Sequence, residues 1–188
     1  FAKSYQKMVD AYFTIFKRAG LDVVKVESDT GTMGGKAAHE FMLIVDTQAG
    51  EATIIFCDKC DYAANDEKAE YRDSLQSKTD TEGKKREVVD TPGAATIEQV
   101  SAYLKIESFQ LVKTLLFMAD DKPIAALIRG DRDLNEVKLK NAVKAVDLRM
   151  ATAVEVEQIS KAPVGFAGPV GLNNVPLFVD PLVAELKN

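Results

Sequence analysis

Nine residues, Leu111-Val112-Lys113-Thr114-Leu115-Leu116-Phe117-Met118-Ala119, do most to restrict what this chain can fold into. They are mostly apolar, rich in branched side chains and closed by the turn signal Asp120-Asp121-Lys122-Pro123, so they read as a buried strand. A second apolar run, Ile124 to Ile128, follows at once and reads as its hairpin partner. Lys113 is the anomaly in the first run. An ammonium inside an apolar strand either snorkels to the edge or serves an anionic ligand. Far downstream, Gly165-Phe166-Ala167-Gly168-Pro169 is a turn whose main-chain N–H groups can approach a ligand closely. Side by side, the lysine and the turn would hold a phosphate or a charged ester. Apart, they are an edge lysine and an ordinary surface turn.

The rest of the chain surrounds that hairpin with alternating elements. Tyr5, Met8, Val9, Tyr12, Phe13 and Phe16 form one apolar helical stripe, with Gly20 placed to stop it. Leu21 to Glu27 reads as a strand, and Gly31, Gly34 and Gly35 as a loop. Glu40 to Asp46 and Ala52 to Cys57 read as two strands joined in a hairpin through Thr47-Gln48-Ala49-Gly50-Glu51. This first part is expected to be a helix on an antiparallel sheet. Asp66 to Arg86 is dense in charged and small polar residues and cannot build a core. The chain therefore divides into 1–67, a charged linker at 68–87, and a second domain at 88–188. In that second domain Thr96-Ile97-Glu98-Gln99 and Thr152-Ala153-Val154-Glu155 are capping boxes that should open helices through about Leu104 and Ile159. Leu134, Val137, Leu139 and Val143 give a helix capped near Asp131 or Asp133. Val175 to Asp180 is a last strand, followed by Pro181 in a first helical turn. The expected fold class is α/β (α+β): an antiparallel sheet unit, then a mixed α/β unit.

Composition excludes several functions. With 188 residues, 46% of them hydrophobic, the chain can bury a core. A net charge of -5 argues against a long phosphate-tracking groove, but an RNA end needs only a few cations. No apolar run approaches the roughly 18–20 residues of a membrane span. The two cysteines, Cys57 and Cys60, are too close for a structural staple, which suggests a reducing, cytoplasmic setting. The opening Phe1 and the helical pattern at the far end read as a piece of a longer chain.

Most local motifs fail their own chemistry. Gly34-Gly35-Lys36-Ala37 is no phosphate loop, because Thr30 and Ala37 stand where a glycine and a hydroxyl are required. Cys57-Asp58-Lys59-Cys60 is half a zinc site in a chain with one histidine and no other cysteine, so no metal site is expected. A redox use of the pair lacks the usual helix-start context. His39 and Glu40 are neighbours on a strand and face opposite sides, so they form no acid–base dyad. One histidine assembles no nucleophilic triad. Arg129-Gly130-Asp131-Arg132-Asp133 is a charged turn after a strand.

Taken together, the segments resemble bacterial-type prolyl-tRNA synthetase over nearly the whole chain. Gly31-Thr32-Met33-Gly34-Gly35-Lys36-Ala37-Ala38-His39-Glu40-Phe41-Met42 is similar to the glycine loop and next strand of its class II catalytic core. Cys57-Asp58-Lys59-Cys60-Asp61-Tyr62-Ala63-Ala64-Asn65-Asp66-Glu67-Lys68-Ala69 resembles the string leaving that core. Asp90-Thr91-Pro92-Gly93, Val112-Lys113-Thr114-Leu115-Leu116, Arg129-Gly130-Asp131, Leu134-Asn135-Glu136-Val137-Lys138 and Gly165-Phe166-Ala167-Gly168-Pro169 resemble its inserted editing domain.

The resemblance implies a parent ligase that joins proline to tRNA(Pro) with ATP and Mg²⁺, dimeric through its core. It also implies an inserted domain that hydrolyses mischarged alanyl-tRNA(Pro) without a cofactor. A pocket that admits proline excludes a smaller amino acid weakly, since lost methylenes are worth only about 1–3 kcal/mol. Residue by residue, it implies a catalytic Lys113 facing the phosphate or ribose of the terminal adenosine, with Gly165 and Gly168 polarising the ester. Phe166, Ala167, Pro169 and Thr91 would complete the substrate site, and His39 and Glu40 would wall the proline/adenylate pocket. The second-motif arginines, the third motif and a downstream family histidine are not in this chain, and Arg132 stands where histidine is frequent. The segment alone is therefore not expected to aminoacylate. The alternative is a tRNA 3′-end binding module without turnover.

Overall fold

The computed structural model describes residues 1–46, 50, 52–70, 85 and 87–186. It divides into two compact units, Phe1–Tyr71 and Arg72–Asn188. Most of the charged stretch expected as a linker lies outside the described residues.

In the first unit the apolar stripe makes helix α1, Ala2–Arg18. Gly20, at φ +75°, ends it in a Schellman arrangement, with Leu21 N–H donating to Phe16 C=O at 2.9 Å and Gly20 N–H to Lys17 C=O at 3.1 Å. The stripe packs on strand β2, Ala38–Leu43, where Tyr12, Phe13 and Phe16 surround the Phe41 ring with centroids 5.1, 5.0 and 6.0 Å away, although of the stripe only Val9 is buried and Met8, Tyr12 and Phe13 stay exposed. Strand β1, Val23–Ser28, carries the fully buried Val26 and pairs antiparallel with β2 from Val23↔Leu43 to Ser28↔Ala38.

The expected hairpin between the second and third strands is not formed. Strand β3, Ile54–Phe56, pairs instead with β4, Ala63–Asn65, and β4 lies parallel to β1 at Glu27↔Ala64. The sheet order is β2-β1-β4-β3, a mixed sheet rather than an antiparallel one. The sequence hid β4 because Ala63-Ala64-Asn65 lacks branched or aromatic side chains, yet Ala64 and Asn65 are buried. The connecting residues 47–49 and 51 lie outside the described residues.

The second unit is built on the hairpin. Strands β5, Val112–Ala119, and β6, Lys122–Arg129, pair along their whole length from Val112↔Arg129 to Ala119↔Lys122. Asp120 and Asp121 connect them at φ +47° and +61°, both left-handed, as a two-residue turn of this twist requires. Strand β7, Leu148–Met150, lies against β5, and β8, Leu177–Val179, runs parallel to β6. The order is β7-β5-β6-β8. Phe117, Ala119, Ile124 and Ala126 form the buried centre with Leu139 of helix α3, Glu136–Val143. Asn135 caps that helix, accepting from Lys138 N–H, so the cap falls two residues beyond Asp133. Thr96 and Thr152 both form complete capping boxes, opening α2, Ile97–Leu104, and α4, Ala153–Ser160. Asp180 caps a final turn, α5, Pro181–Ala184.

Glu155 of the second box does double duty. Its carboxylate accepts both arms of Arg149 at 2.8 and 2.9 Å and the Thr152 N–H at 2.8 Å, tying β7 to the start of α4. The Arg149 guanidinium, then the Thr152 main chain and hydroxyl, lower its pKa from 4.5 to about 2. A depressed carboxyl stabilises the fold fully above its unfolded pKa and loses that contribution as pH falls from 4.5 towards about 2. Glu155→Gln keeps the cap but not the charge. The melting temperatures of wild type and variant are thus expected to differ near neutral pH and to converge on acidification. Curves that stay parallel down to about pH 2 would contradict the linkage.

Candidate functional site

The site begins where a strand stops being covered. Strand β7 accompanies β5 only from Phe117↔Met150 to Ala119↔Leu148, and Ala151 N–H to Leu116 C=O at 3.0 Å is the last rung. Ahead of that rung, the same edge of β5 has no strand beside it among the described residues. Ala119 and Lys122 flank the two-residue turn and form a hydrogen-bonded pair, so by alternation Lys113, Leu115 and Phe117 direct their main-chain groups at β6. Val112 and Thr114 therefore turn N–H and C=O outwards, along the open edge.

A cleft of about 390 Å³ occupies this opening. Leu111 to Leu116 line one side, and the start of α2 (Ala95, Thr96, Ile97 and Val100) another. Met150, Ala151 and Val156 close the end next to β7, and Val164, Gly165 and Ala167 supply the remaining wall. Lys113 and the glycine turn, 52 positions apart in the sequence (165 minus 113), thus share one cleft. Gly165 is at φ +89°, and a Cβ there would lie 3.0 Å from Ala95 Cβ and 3.1 Å from Ala95 O. The turn is pressed against the start of α2, so glycine is required both by conformation and by space.

The electrostatics centre on one cation. Lys113, its side chain 22% exposed, places Nζ 3.3 Å from Oδ1 of the fully exposed Asp133. Glu98, in the first turn of α2, has a pKa held below the usual carboxylate range by its own N–H, by the Thr96 side chain and by the charge of Lys113. An exposed pair of this kind is worth about 0–1 kcal/mol, so the ammonium is easily surrendered to a stronger anion. On the opposite side the lining is alkyl, suited to a small apolar group. Among the described residues no cluster of three or more His, Cys, Asp or Glu side chains is placed to hold a metal.

Other residues singled out in the sequence stand elsewhere. Phe166, Gly168 and Pro169 belong to the same turn but are not among the lining residues, and a Cβ on Gly168 would meet nothing within 4 Å. The Thr91 carbonyl accepts from Ala94 N–H at 3.2 Å, shaping the approach to the Thr96 cap rather than the cleft itself. His39 and Glu40 lie in the first unit. His39 Nδ1 is 2.5 Å from Tyr5 Oη, and burial followed by the charge of Lys25 lowers its pKa, against Glu27. Glu40 is exposed and sits opposite Val26.

Sequence reasoning missed Thr114. It lines the cleft, and its Oγ1 is buried without a hydrogen-bond partner among the described residues. A buried hydroxyl with nothing to bond is costly unless a ligand completes it. The available signal was a hydroxyl next to the odd lysine in an otherwise apolar strand.

The aminoacyl-tRNA editing domain family matches residues 91–188, more than half the chain, and the chain belongs to that family. The particular relatives are proline–tRNA ligases. That of Caldicellulosiruptor bescii is 52% identical over 185 residues, covering 98% of this chain and 32% of the relative. That of Geobacter sulfurreducens is 49% identical over 185 residues, with the same 98% and 32% coverage. This chain thus spans about a third of the length of these relatives, and the resemblance to prolyl-tRNA synthetase is borne out along nearly all of it. A solved structure described as a candidate trans-editing enzyme for prolyl tRNA synthetase is 29% identical, with a TM-score of 0.45 over 49% of this chain and 59% of its own.

Proposed function

We propose that the second unit hydrolyses the ester of alanyl-tRNA(Pro), as the editing module of a longer proline–tRNA ligase. The observation that carries this reading is the convergence of Lys113 and the Gly165 turn on one cleft beside an open strand edge. The Lys113 ammonium leaves Asp133 for the phosphate or ribose end of the terminal adenosine. The Gly165 and Ala167 amides, with Gly168 following, polarise the ester carbonyl and stabilise the charge that develops on its oxygen, while Phe166 N–H is held by Pro163 C=O at 3.1 Å and shapes the turn. A water molecule attacks the carbonyl carbon, the ester C–O bond breaks, and the ribose oxygen leaves with a proton, assisted by the neighbouring 2′-hydroxyl where it is free. The Thr114 hydroxyl and the outward main-chain groups of Val112 and Thr114 give the substrate its remaining polar contacts. Ile97, Val100 and Val156 enclose the alanyl methyl.

This chemistry needs no cofactor; ATP and Mg²⁺ serve the ligation step of the parent enzyme, which this segment alone does not perform. The first unit is assigned to the class II core, with His39 and Glu40 on its proline/adenylate side; in the second unit Thr91, Phe166 and Pro169 support the cleft from outside its lining, through the approach to the Thr96 cap and the glycine turn. The partners are the 3′ end of tRNA(Pro) and, through the parent's core, a second subunit, in the cytoplasm. No helix among the described residues is long and apolar enough to cross a membrane. The test is deacylation of alanyl-tRNA(Pro) by this chain, expected well above the spontaneous rate and with prolyl-tRNA(Pro) spared. Binding without turnover would replace the hydrolase with a 3′-end binding module.

A further inference from the structure

No carboxylate lines the cleft of the second unit, and its only polar side chains are Thr96, Lys113 and Thr114. The Thr96 hydroxyl is committed to the α2 cap, where it accepts from Gln99 N–H at 3.3 Å. Lys113 Nζ donates to Asp133 Oδ1 at 3.3 Å and, as an ammonium, has no lone pair to offer. Thr114 is therefore the one side-chain acceptor left to a ligand in the cleft. Its Oγ1 is covered and makes no hydrogen bond among the described residues, although the residue as a whole is only partly buried. Threonine divides itself between χ1 rotamers more evenly than valine or isoleucine, and one rotation exchanges its hydroxyl with its methyl. That turn brings Oγ1 to the cleft without moving β5. The Thr114 carbonyl already points out along the same open strand edge.

An aminoacyl ester brings two kinds of polar group to such a place. Its carbonyl oxygen is an acceptor and is served by the N–H groups of the glycine turn. Its amino group is a multiple donor, and here it finds no carboxylate, only neutral oxygens. We propose that Thr114 is a specificity-determining residue that holds the α-amino group of the aminoacyl ester, through Oγ1 and through its own C=O. The inference rests on the editing reading of this cleft and adds the substrate class: esters of small amino acids with a free α-amino group, in preference to acyl esters without one. Holding the amine at β5 stops rotation of the acyl group, so that the carbonyl faces the glycine turn while the methyl lies on the alkyl wall. No bond to Thr114 forms or breaks. The unpartnered hydroxyl costs stability in the free chain, and that cost is offset only when a donor enters.

The test supplies the whole chain with tRNA(Pro) carrying either an alanyl ester or a propionyl ester, which has hydrogen in place of the amino group. Each rate is divided by the spontaneous rate of the same ester. Wild type is expected to favour the alanyl ester by roughly tenfold or more on that scale. Thr114→Val, of nearly the same shape but without the hydroxyl, should cut the alanyl rate roughly tenfold further than the propionyl rate and melt no lower than wild type. Thr114→Ser should restore most of the preference. Equal losses on the two esters, or a wild type that treats them alike, would overturn the proposal and leave the hydrolase standing. A Thr114→Val that melts lower would also overturn it, because the hydroxyl would then be bonded in the free chain. Failure of wild type to hydrolyse either ester would remove the editing reading and this proposal together.

Discussion

Lys113→Ala is expected to lower the rate of alanyl-tRNA(Pro) hydrolysis roughly 100-fold, the scale of losing one charge-stabilising group from a catalytic site. The same substitution should lower the melting temperature only modestly, by the packing of the covered aliphatic stem. Its partner Asp133 is fully exposed and stays hydrated when the ammonium goes, so no buried charge is stranded. The side chain is 22% exposed, so what is lost is the packing of its covered stem rather than an ion pair. A large rate effect with little stability effect therefore separates a substrate-facing lysine from an edge lysine that merely packs. Equal hydrolysis by wild type and variant would remove Lys113 from the mechanism, and an equal loss in stability would return it to a structural role.

Gly130→Ala is expected to destabilise the second unit by at least about 3 kcal/mol, the upper end of overpacking costs. Its backbone conformation is not the reason. A Cβ at 130 would sit 2.3 Å from the main-chain oxygen of Ser108, 3.1 Å from Leu111 Cβ and 3.3 Å from Ile97 Cγ2. The oxygen belongs to backbone held in the Ser108–Gln110 turn, and Gly130 N–H already donates to Leu111 C=O at 2.7 Å. Neither side can move without breaking the end of the β5–β6 hairpin. A drop in melting temperature of about 10 °C is the corresponding readout. Gly168→Ala, where the Cβ would meet open space, should melt close to wild type. If the two variants melted alike, the close approach at Gly130 would not exist.

The fold was legible where local chemistry was strong. Both capping boxes formed, because Thr96 and Thr152 satisfy amide donors that nothing else nearby can reach. The Leu111–Ile128 hairpin was readable from two apolar runs and a turn. Strand pairing between distant segments was not readable: β4 and β7 are three residues long, and their partners are chosen by tertiary contact rather than propensity. The expected β2–β3 hairpin failed for that reason, since β1 offered β2 a six-residue antiparallel register.

The site divides along the same line. Lys113 announced itself as a charge in an apolar strand, and Gly165 as a glycine in a turn. Nothing local said that both would border one cleft, because that depends on where β7 leaves the edge of β5. Thr114 was invisible for a different reason. A threonine in a strand is ordinary, and only its burial without a partner marks it.

The central claim is that the open edge of β5 and the glycine turn receive the aminoacylated end of a tRNA. It is tested most directly by titrating the chain with a non-hydrolysable alanyl-amide analogue of the terminal adenosine while following its amide resonances. The account predicts that Val112, Lys113, Thr114, Gly165 and Ala167 shift together, with one affinity, and that Lys113→Ala weakens that affinity. Shifts confined to the first unit, or to Lys113 without the glycine turn, would contradict it.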